Sequence, residues 1–289
     1  MAVIATGFFD GVHIGHRQVI DTLLSEALAR GEQSIIVTFW PHPRAVLQNG
    51  ADSLRYLSSR EDRVAMLRSL GVDEVVTVPF SREFASWSAR EYLQMLCRDY
   101  QCTALVLGYD TRFGREQAGP VEIAALAAEM GVAAVVAPPV EFGGGPVSSS
   151  RIREALSQGD VRLAGDLLGR PYRLHGVVVS GDRIGRTIGF PTANMKLYEP
   201  LMLVPRSGVY HTKVQVLGST FEGITNIGTR PTVSDCGTLT IETHILDFDE
   251  MIYGLDMSVD FIRRIRDERR FPSLQELRLQ LSADAASIR

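Results

Sequence analysis

The strongest constraint on how this chain folds is a change of rhythm near its middle. In the first half, short β-branched or apolar runs alternate with stretches whose apolar residues recur at helical spacing. Residues 2–5 form an apolar run that ends in a glycine-rich turn. Val19, Ile20, Leu23, Leu24, Ala27 and Leu28 then recur at helical intervals until Gly31 stops them. Strand patterns follow at 34–39, 74–78, 103–107 and 132–137, with helical patterns at 60–70, 90–97 and 121–130 between them. Continuously apolar strands separated by helices predict a parallel sheet covered on both faces, an open α/β arrangement.

After a helix around 150–156 and a linker over 159–171, the pattern shifts. Strand-like runs at 174–180, 208–217, 221–228, 239–246 and 257–264 follow one another, punctuated by glycine and proline, with no long helix between them. That is the pattern of an antiparallel barrel or sandwich. Ser273 followed by Glu276 has the form of a capping box and predicts a terminal helix over 273–283. The expected organisation is an α/β domain over 1–158, the linker over 159–171, and a small β domain with a terminal helix over 172–289.

Composition narrows the function classes. The chain has 289 residues, and its 45% hydrophobic content is enough for buried cores. A formal net charge of −4 argues against a general nucleic-acid binder, so an anionic substrate has to be met by local charge and backbone amides. The apolar start lacks a basic leader, and no stretch approaches membrane-spanning length. Cys97, Cys102 and Cys236 are too few and too irregularly spaced for a disulfide framework or a zinc finger. They fit structural thiols in a cytoplasmic protein. These features predict neither a nucleic-acid nor a membrane partner, and leave the oligomeric state open.

Two segments carry chemistry. Gly7, Gly11 and Gly15 surround His13 and His16 where the first strand gives way to the first helix. Ligands bind there in α/β sheets: glycine lets backbone approach a phosphate, the helix N-terminus offers free N–H groups, and histidines can donate hydrogen bonds to a phosphoryl group. A zinc site is disfavoured, since Asp10 is the only other nearby ligand type. Ser148, Ser149 and Ser150 open a later helix, where hydroxyls cap the helix or bind phosphate, and Arg151 or Arg153 can add charge. The glycines at 143–145 predict a mobile loop beside that helix. The second segment, 181–194, is rich in glycine, arginine and hydroxyls. Its spacing is too short for a P-loop and Arg186 stands in the lysine position. Residues alone leave two readings, a polar hairpin loop or a phosphate cradle in which Thr192 and Asn194 offer oxygens to Mg²⁺.

The run Gly7-Phe8-Phe9-Asp10-Gly11-Val12-His13-Ile14-Gly15-His16 resembles the HxGH signature of nucleotidyltransferases. More narrowly, it resembles the bacterial bifunctional riboflavin kinase/FAD synthetase family. Thr38-Phe39-Trp40-Pro41-His42-Pro43, the segment Gly108-Tyr109-Asp110-Thr111-Arg112-Phe113-Gly114 and Ser148-Ser149-Ser150-Arg151-Ile152-Arg153 match further elements of that family. In the second half Gly189-Phe190-Pro191-Thr192-Ala193-Asn194 is similar to the flavokinase signature. Segments from Asn226, from Glu242 and from Ile265 to Phe271 follow in family order. Phe8 stands where an asparagine is common, and Thr111 where a phenylalanine is common.

The resemblance implies a nucleotidyltransferase sheet followed by a riboflavin-kinase barrel, with ATP as co-substrate, Mg²⁺ as the divalent metal, and riboflavin and FMN as the other substrates. It implies His13, His16 and Glu242 as catalytic residues, Glu242 being the base for the ribityl hydroxyl. Gly7, Phe9, Asp10, Gly15, Ser148, Ser149, Arg153, Gly181, Arg186 and Gly189 are implied to bind nucleotide. Asp110, Asn226, Arg266 and Phe271 are implied to bind flavin, and Thr192 and Asn194 metal.

Overall fold

The computed structural model describes residues 1–47, 54–181, 185, 188–230 and 238–288. They form two compact units, Met1–Ser149 and Ser150–Arg289.

The first unit is a parallel sheet of β1 (Ala2–Thr6), β2 (Gln33–Trp40), β3 (Glu74–Pro79), β4 (Cys102–Gly108) and β5 (Ala133–Ala137), in the order β3-β2-β1-β4-β5. Because successive side chains on a strand point to opposite faces, β1 feeds two cores at once. Ala2 and Ile4 pack with Leu93, Leu96, Leu105 and Ile123 under α5 (Ala89–Tyr100) and α6 (Pro120–Glu129). Val3 and Ala5 pack with Ile20, Leu23, Leu67 and Val106 under α1 (Ile14–Arg30) and α3 (Arg60–Ser69). The shorter α2 (Pro43–Leu47) and α4 (Arg82–Ala85) lack a full apolar stripe, and the periodicity does not reveal them. Gly31 closes α1 in the left-handed conformation, and Ser88 with Glu91 forms a capping box on α5. The strand order turns back at β1, between β2 and β4, which opens the ligand crevice at the carboxyl ends of those strands.

Gly143 and Gly144, both at positive φ, make the turn of a hairpin between β6 (Glu141–Phe142) and β7 (Gly145–Pro146). One expectation is corrected. The stretch read as a linker contains a helix, α8 (Val161–Leu168), which follows α7 (Ser149–Gln158). Val161, Ala164, Leu167 and Leu168 of α8 are buried, Asp160 caps its start and Gly169 ends it. The flanking glycines that suggested a linker are helix boundaries.

The second unit is a closed antiparallel barrel in the order β10-β11-β12-β9-β8-β13. Its strands are β8 (Tyr172–Val179), β9 (Ala193–Leu197), β10 (Gly208–Val216), β11 (Ser219–Arg230), β12 (Thr238–Ile245) and β13 (Asp256–Arg266). Alternation puts Tyr172, Leu174, Tyr210, Val214, Val259 and Phe261 among its buried side chains. On one face, Val209, Ile224 and Leu246 pack against Ala285 and Ile288 at the end of the terminal helix α9 (Leu274–Ala286). Ser273 accepts a hydrogen bond from the Glu276 amide, so α9 starts where the sequence pattern places it. Arg266 clamps Asp284 on α9 at 2.8 Å, and that carboxylate is buried.

Candidate active sites

The first site grows out of the end of β1. The chain leaves Thr6, whose hydroxyl bonds the buried Tyr92 hydroxyl at 2.6 Å, and turns sharply through 7–13. Phe9, Gly11 and Val12 all adopt positive φ, of 56°, 76° and 41°. Only glycine does so without cost, and a β-branched valine there is strained, so surrounding contacts must hold the turn. Asp10 supplies them. Its buried carboxylate accepts hydrogen bonds from the Leu57 amide at 3.1 Å and the Ser58 amide at 3.2 Å, and from the Ser58 hydroxyl at 3.3 Å. The same hydroxyl accepts from the Gly11 amide at 3.0 Å. The Asp10 carbonyl accepts from the Ser149 hydroxyl at 3.1 Å. Asp10, expected at the nucleotide, thus has its carboxylate turned to the segment before α3, and it shapes the turn.

His13 caps α1. Its Nδ1 accepts the His16 amide at 3.2 Å, which places the proton of the neutral ring on Nε2 as a donor. The rings of His13 and His16 stack with centroids 3.5 Å apart, and the Phe9 ring meets His16 edge-on at 5.2 Å. Burial, then His13, then Arg63 hold the His16 imidazole well below its ordinary pKa, so it is neutral at pH 7. A side chain at Gly15 would press on the His13 ring and the Val147 carbonyl, at 3.2 and 3.4 Å; glycine lets the segment leading to Ser148 and Ser149 approach the helix start. A side chain at Gly7 would crowd the Phe9 ring at 3.3 Å. Arg153 stands on α7 and Asp110 is exposed in a turn just after β4, closed by the Thr111 amide to the Gly108 carbonyl at 3.1 Å.

No local sequence pattern singles out Arg63. It sits on α3 and is fully buried, with its guanidinium stacked 3.9 Å over the Phe8 ring and its Nη2 donating to the Phe39 carbonyl at 3.2 Å.

The second site is built by strand pairing. Glu242 on β12 lies directly opposite Asn226 on β11 and Asn194 on β9. Three residues separated by up to 48 positions in sequence therefore share one cross-strand row and one face, each half-buried. The next residues, Thr243 and Thr225, point the other way and join Thr212 in a buried hydroxyl chain with steps of 2.9 Å. Of that row, Asn194 also lines a cavity of about 410 Å³, together with Gly181, Thr192, Thr243, Phe248 and Tyr253 among others. A side chain at Gly181 would collide with the Asn194 amide, so this glycine is what lets the loop pass over that residue. Gly189 takes a positive φ of 83° in the turn closed by the Ile188 and Phe190 amides on the Gly185 carbonyl, at 3.2 and 2.9 Å. His244 bonds the Pro191 carbonyl through Nδ1 at 2.8 Å and fixes the approach to Thr192. Asn226 donates to Glu268 at 3.4 Å. Arg266, engaged with Asp284, lies 5.7 Å from the Phe271 ring, so those two expected flavin residues are neighbours. Arg186 lies outside the described residues, as does Cys236; Cys97 and Cys102 are free thiols.

The donor set at Thr192 and Asn194, neutral oxygens beside a glycine cradle, suits a hard divalent cation shared with phosphate oxygens. Among the described residues no cluster of three histidine, cysteine or acidic side chains could hold a metal by itself, and no helix is long and apolar enough to cross a membrane.

Comparison with known proteins places a family on each half of the chain. A family model for FAD synthetase matches residues 1–151, and one for riboflavin kinase matches residues 168–289. The bifunctional riboflavin kinase/FMN adenylyltransferase of Bacillus subtilis is 35% identical over 98% of this chain and 90% of its own length; that of Escherichia coli K12 is 36% identical over 99% and 91%. A Streptococcus pneumoniae crystal structure, described as that of a macrolide-efflux protein, superposes with a TM-score of 0.92 at 32% identity, covering 99% of this chain and 92% of that one. With both family models in order and relatives matched over almost their whole length, the chain belongs to the bifunctional riboflavin kinase/FMN adenylyltransferase family.

Proposed function

We infer that the chain makes FAD from riboflavin in two ATP-dependent steps. The second unit phosphorylates riboflavin to FMN, and the first joins FMN to the AMP part of ATP with release of pyrophosphate. The observation that carries this reading is the Asn194–Glu242–Asn226 row, which sets an acidic side chain between two amides, one of which, Asn194, also lines a cavity.

In the kinase step Glu242 accepts the proton of the ribityl hydroxyl as its oxygen bonds to the γ-phosphorus and ADP leaves. A positioned base of this kind contributes about 10²–10⁴-fold. Thr192 and Asn194 would hold Mg²⁺ together with ATP phosphates; bound there, the ion neutralises charge on the transferring group. Gly181 and Gly189 serve the ATP phosphates, a role that the family resemblance gives to Arg186 as well, and Asn226, Arg266 and Phe271 serve the flavin. In the adenylyl step an FMN phosphate oxygen attacks the α-phosphorus, and pyrophosphate leaves with the bonding electrons. His13 donates from Nε2 to the α-phosphoryl oxygens, and neutral His16 donates beside it. Ser148, Ser149 and Arg153 serve the triphosphate, Gly7, Phe9 and Gly15 the approach of the nucleotide, and Asp110 the flavin. Free thiols suit a cytoplasmic location.

The test is to incubate the protein with riboflavin, ATP and Mg²⁺ and separate the flavins. FMN and then FAD should appear. His16→Ala should stop at FMN, while Glu242→Gln should make no FMN yet convert supplied FMN to FAD. If either variant loses both activities while folded, the assignment of one reaction to each unit is wrong.

A further inference from the structure

We propose that Arg63 binds the phosphate of the incoming FMN in the adenylyl-transfer site, through the Nε and Nη1 donors of its guanidinium. The proposal rests on the reading of His13 and His16 as that site. Arg63 is fully buried, yet Nε and Nη1 have no hydrogen-bond partner among the described residues. A buried cation with two unsatisfied donors is costly and is rarely kept without an anion to meet it. Asp10 is the acidic group that most favours the Arg63 charge, and its carboxylate accepts hydrogen bonds from the Leu57 and Ser58 amides. A hydrogen bond from the guanidinium Nη2 to the Phe39 carbonyl ties it to the carboxyl end of β2, at the edge where the sheet takes its ligands. His16 Nδ1 is a second buried polar atom without a partner in the same region.

The surroundings favour FMN over ATP as the source of that anion. Phe8 covers one face of the guanidinium and stands 4.1 Å from the His42 ring. Trp40, 5.5 Å from the guanidinium carbon, stands 5.2 Å from Tyr56. A cation set in an aromatic cluster suits a ligand that carries both a flat ring system and a phosphate. Stacking occupies the face of the guanidinium plane, while its N–H groups point outward within that plane, so the ring takes none of the donors. Because the group is fully covered, the phosphate arrives by displacing a side chain, and half-buried Phe8 is the one stacked on it. Burial lowers the Arg63 pKa to about 10, which still leaves it charged at neutral pH. The chemistry calls for such a charge: an FMN phosphate must approach the α-phosphoryl of ATP, anion against anion, and a cation at the nucleophile offsets that repulsion.

The test uses the full chain and compares Arg63→Met and Arg63→Lys with the parent. FAD formation is measured with FMN varied at saturating ATP, then with ATP varied at saturating FMN, alongside riboflavin phosphorylation and thermal unfolding. For Arg63→Met the KM for FMN should rise at least about tenfold, with the KM for ATP and the phosphorylation of riboflavin unchanged. Its unfolding midpoint should stay level or rise, because a buried charge with two unsatisfied donors has been removed; a purely structural arginine would give a fall. Arg63→Lys should recover part of the FMN affinity. An FMN KM within twofold of the parent overturns the proposal, as does a change confined to the KM for ATP. Should Arg63→Met not fold, Arg63→Lys decides alone: an unchanged FMN KM overturns the proposal and a severalfold rise supports it. His16→Ala separates the two levels. If it still makes FAD, the site reading fails; if it does not and Arg63→Met does so normally, only the role of Arg63 fails.

Discussion

Asp10→Asn tests whether the first site is held open by strain. The carboxylate meets two backbone amides and one hydroxyl, at 3.1, 3.2 and 3.3 Å, with almost no exposure. An asparagine keeps one acceptor oxygen and turns an NH2 group toward the remaining amide donor. Two charge-assisted bonds are lost or weakened, each worth about 1.5–3 kcal/mol, so the variant should lose about 3 kcal/mol in the first unit. For a unit of this size that corresponds to a fall of about 6–12 °C in the unfolding midpoint. The assay is selective because both tryptophans of the chain, Trp40 and Trp87, lie in the first unit, so their emission reports its unfolding in the whole protein. Ser58→Ala removes only the hydroxyl between Asp10 and Gly11 and should cost about 1 kcal/mol. FAD formation should fall in the same order while riboflavin phosphorylation holds. If Asp10→Asn unfolds within 1 °C of the parent, or makes FAD at the parental rate, the carboxylate does not hold the turn.

Three further outcomes follow from other contacts. Gly181→Ala should lower riboflavin phosphorylation by at least about a hundredfold, because its new methyl meets the Asn194 amide, and should leave FAD formation from supplied FMN unchanged in the same flavin separation. Asp284→Ala leaves the Arg266 guanidinium without its partner and should destabilise the barrel by about 3–5 kcal/mol, read by urea denaturation, with faster amide exchange along α9. His16 is held neutral in the folded state, so just below its ordinary value of 6.5 only the unfolded chain takes up that proton; stability should fall as pH drops through 6.5, and His16→Gln should remove that part of the slope in denaturation at several pH values.

What the residues reveal unaided depends on how far apart the partners are. The five strands of the sheet and the turn at His13 and His16 are legible because each is a local pattern: an apolar run, a glycine, a helix start. The capping of α9 by Ser273 is legible for the same reason. β9 is not: Ala193, Met195 and Leu197 do alternate with Asn194 and Lys196, but a run of five residues with no β-branched or aromatic side chain is too weak a signal, and the segment gains its conformation from pairing with β8 and β12. α8 is hidden by glycines at both ends. The role of Asp10 depends on amides 47 and 48 positions away, which no spacing rule supplies. Arg63 is the sharpest case. In a helix reading Arg-Glu-Asp-Arg-Val it looks like one more solvated charge, and only the packing of α3 on the sheet turns it inward. Glu242, too, was nameable through family resemblance alone; its neighbours Asn194 and Asn226 become visible once the strand register is known.

The buried chain of Thr212, Thr225 and Thr243 has a bearing on how the kinase half can change over time. Because inward and outward positions alternate, a shift of one residue between β11 and β12 would break the threonine chain and carry Glu242 into the barrel interior together. A closed barrel has no free edge along which such a shift could be absorbed. Insertions that drift within these strands are thereby penalised twice, once in the core and once at the chemistry. Variation is channelled into the connecting loops, where substrate preference can diverge while the placement of the base stays fixed.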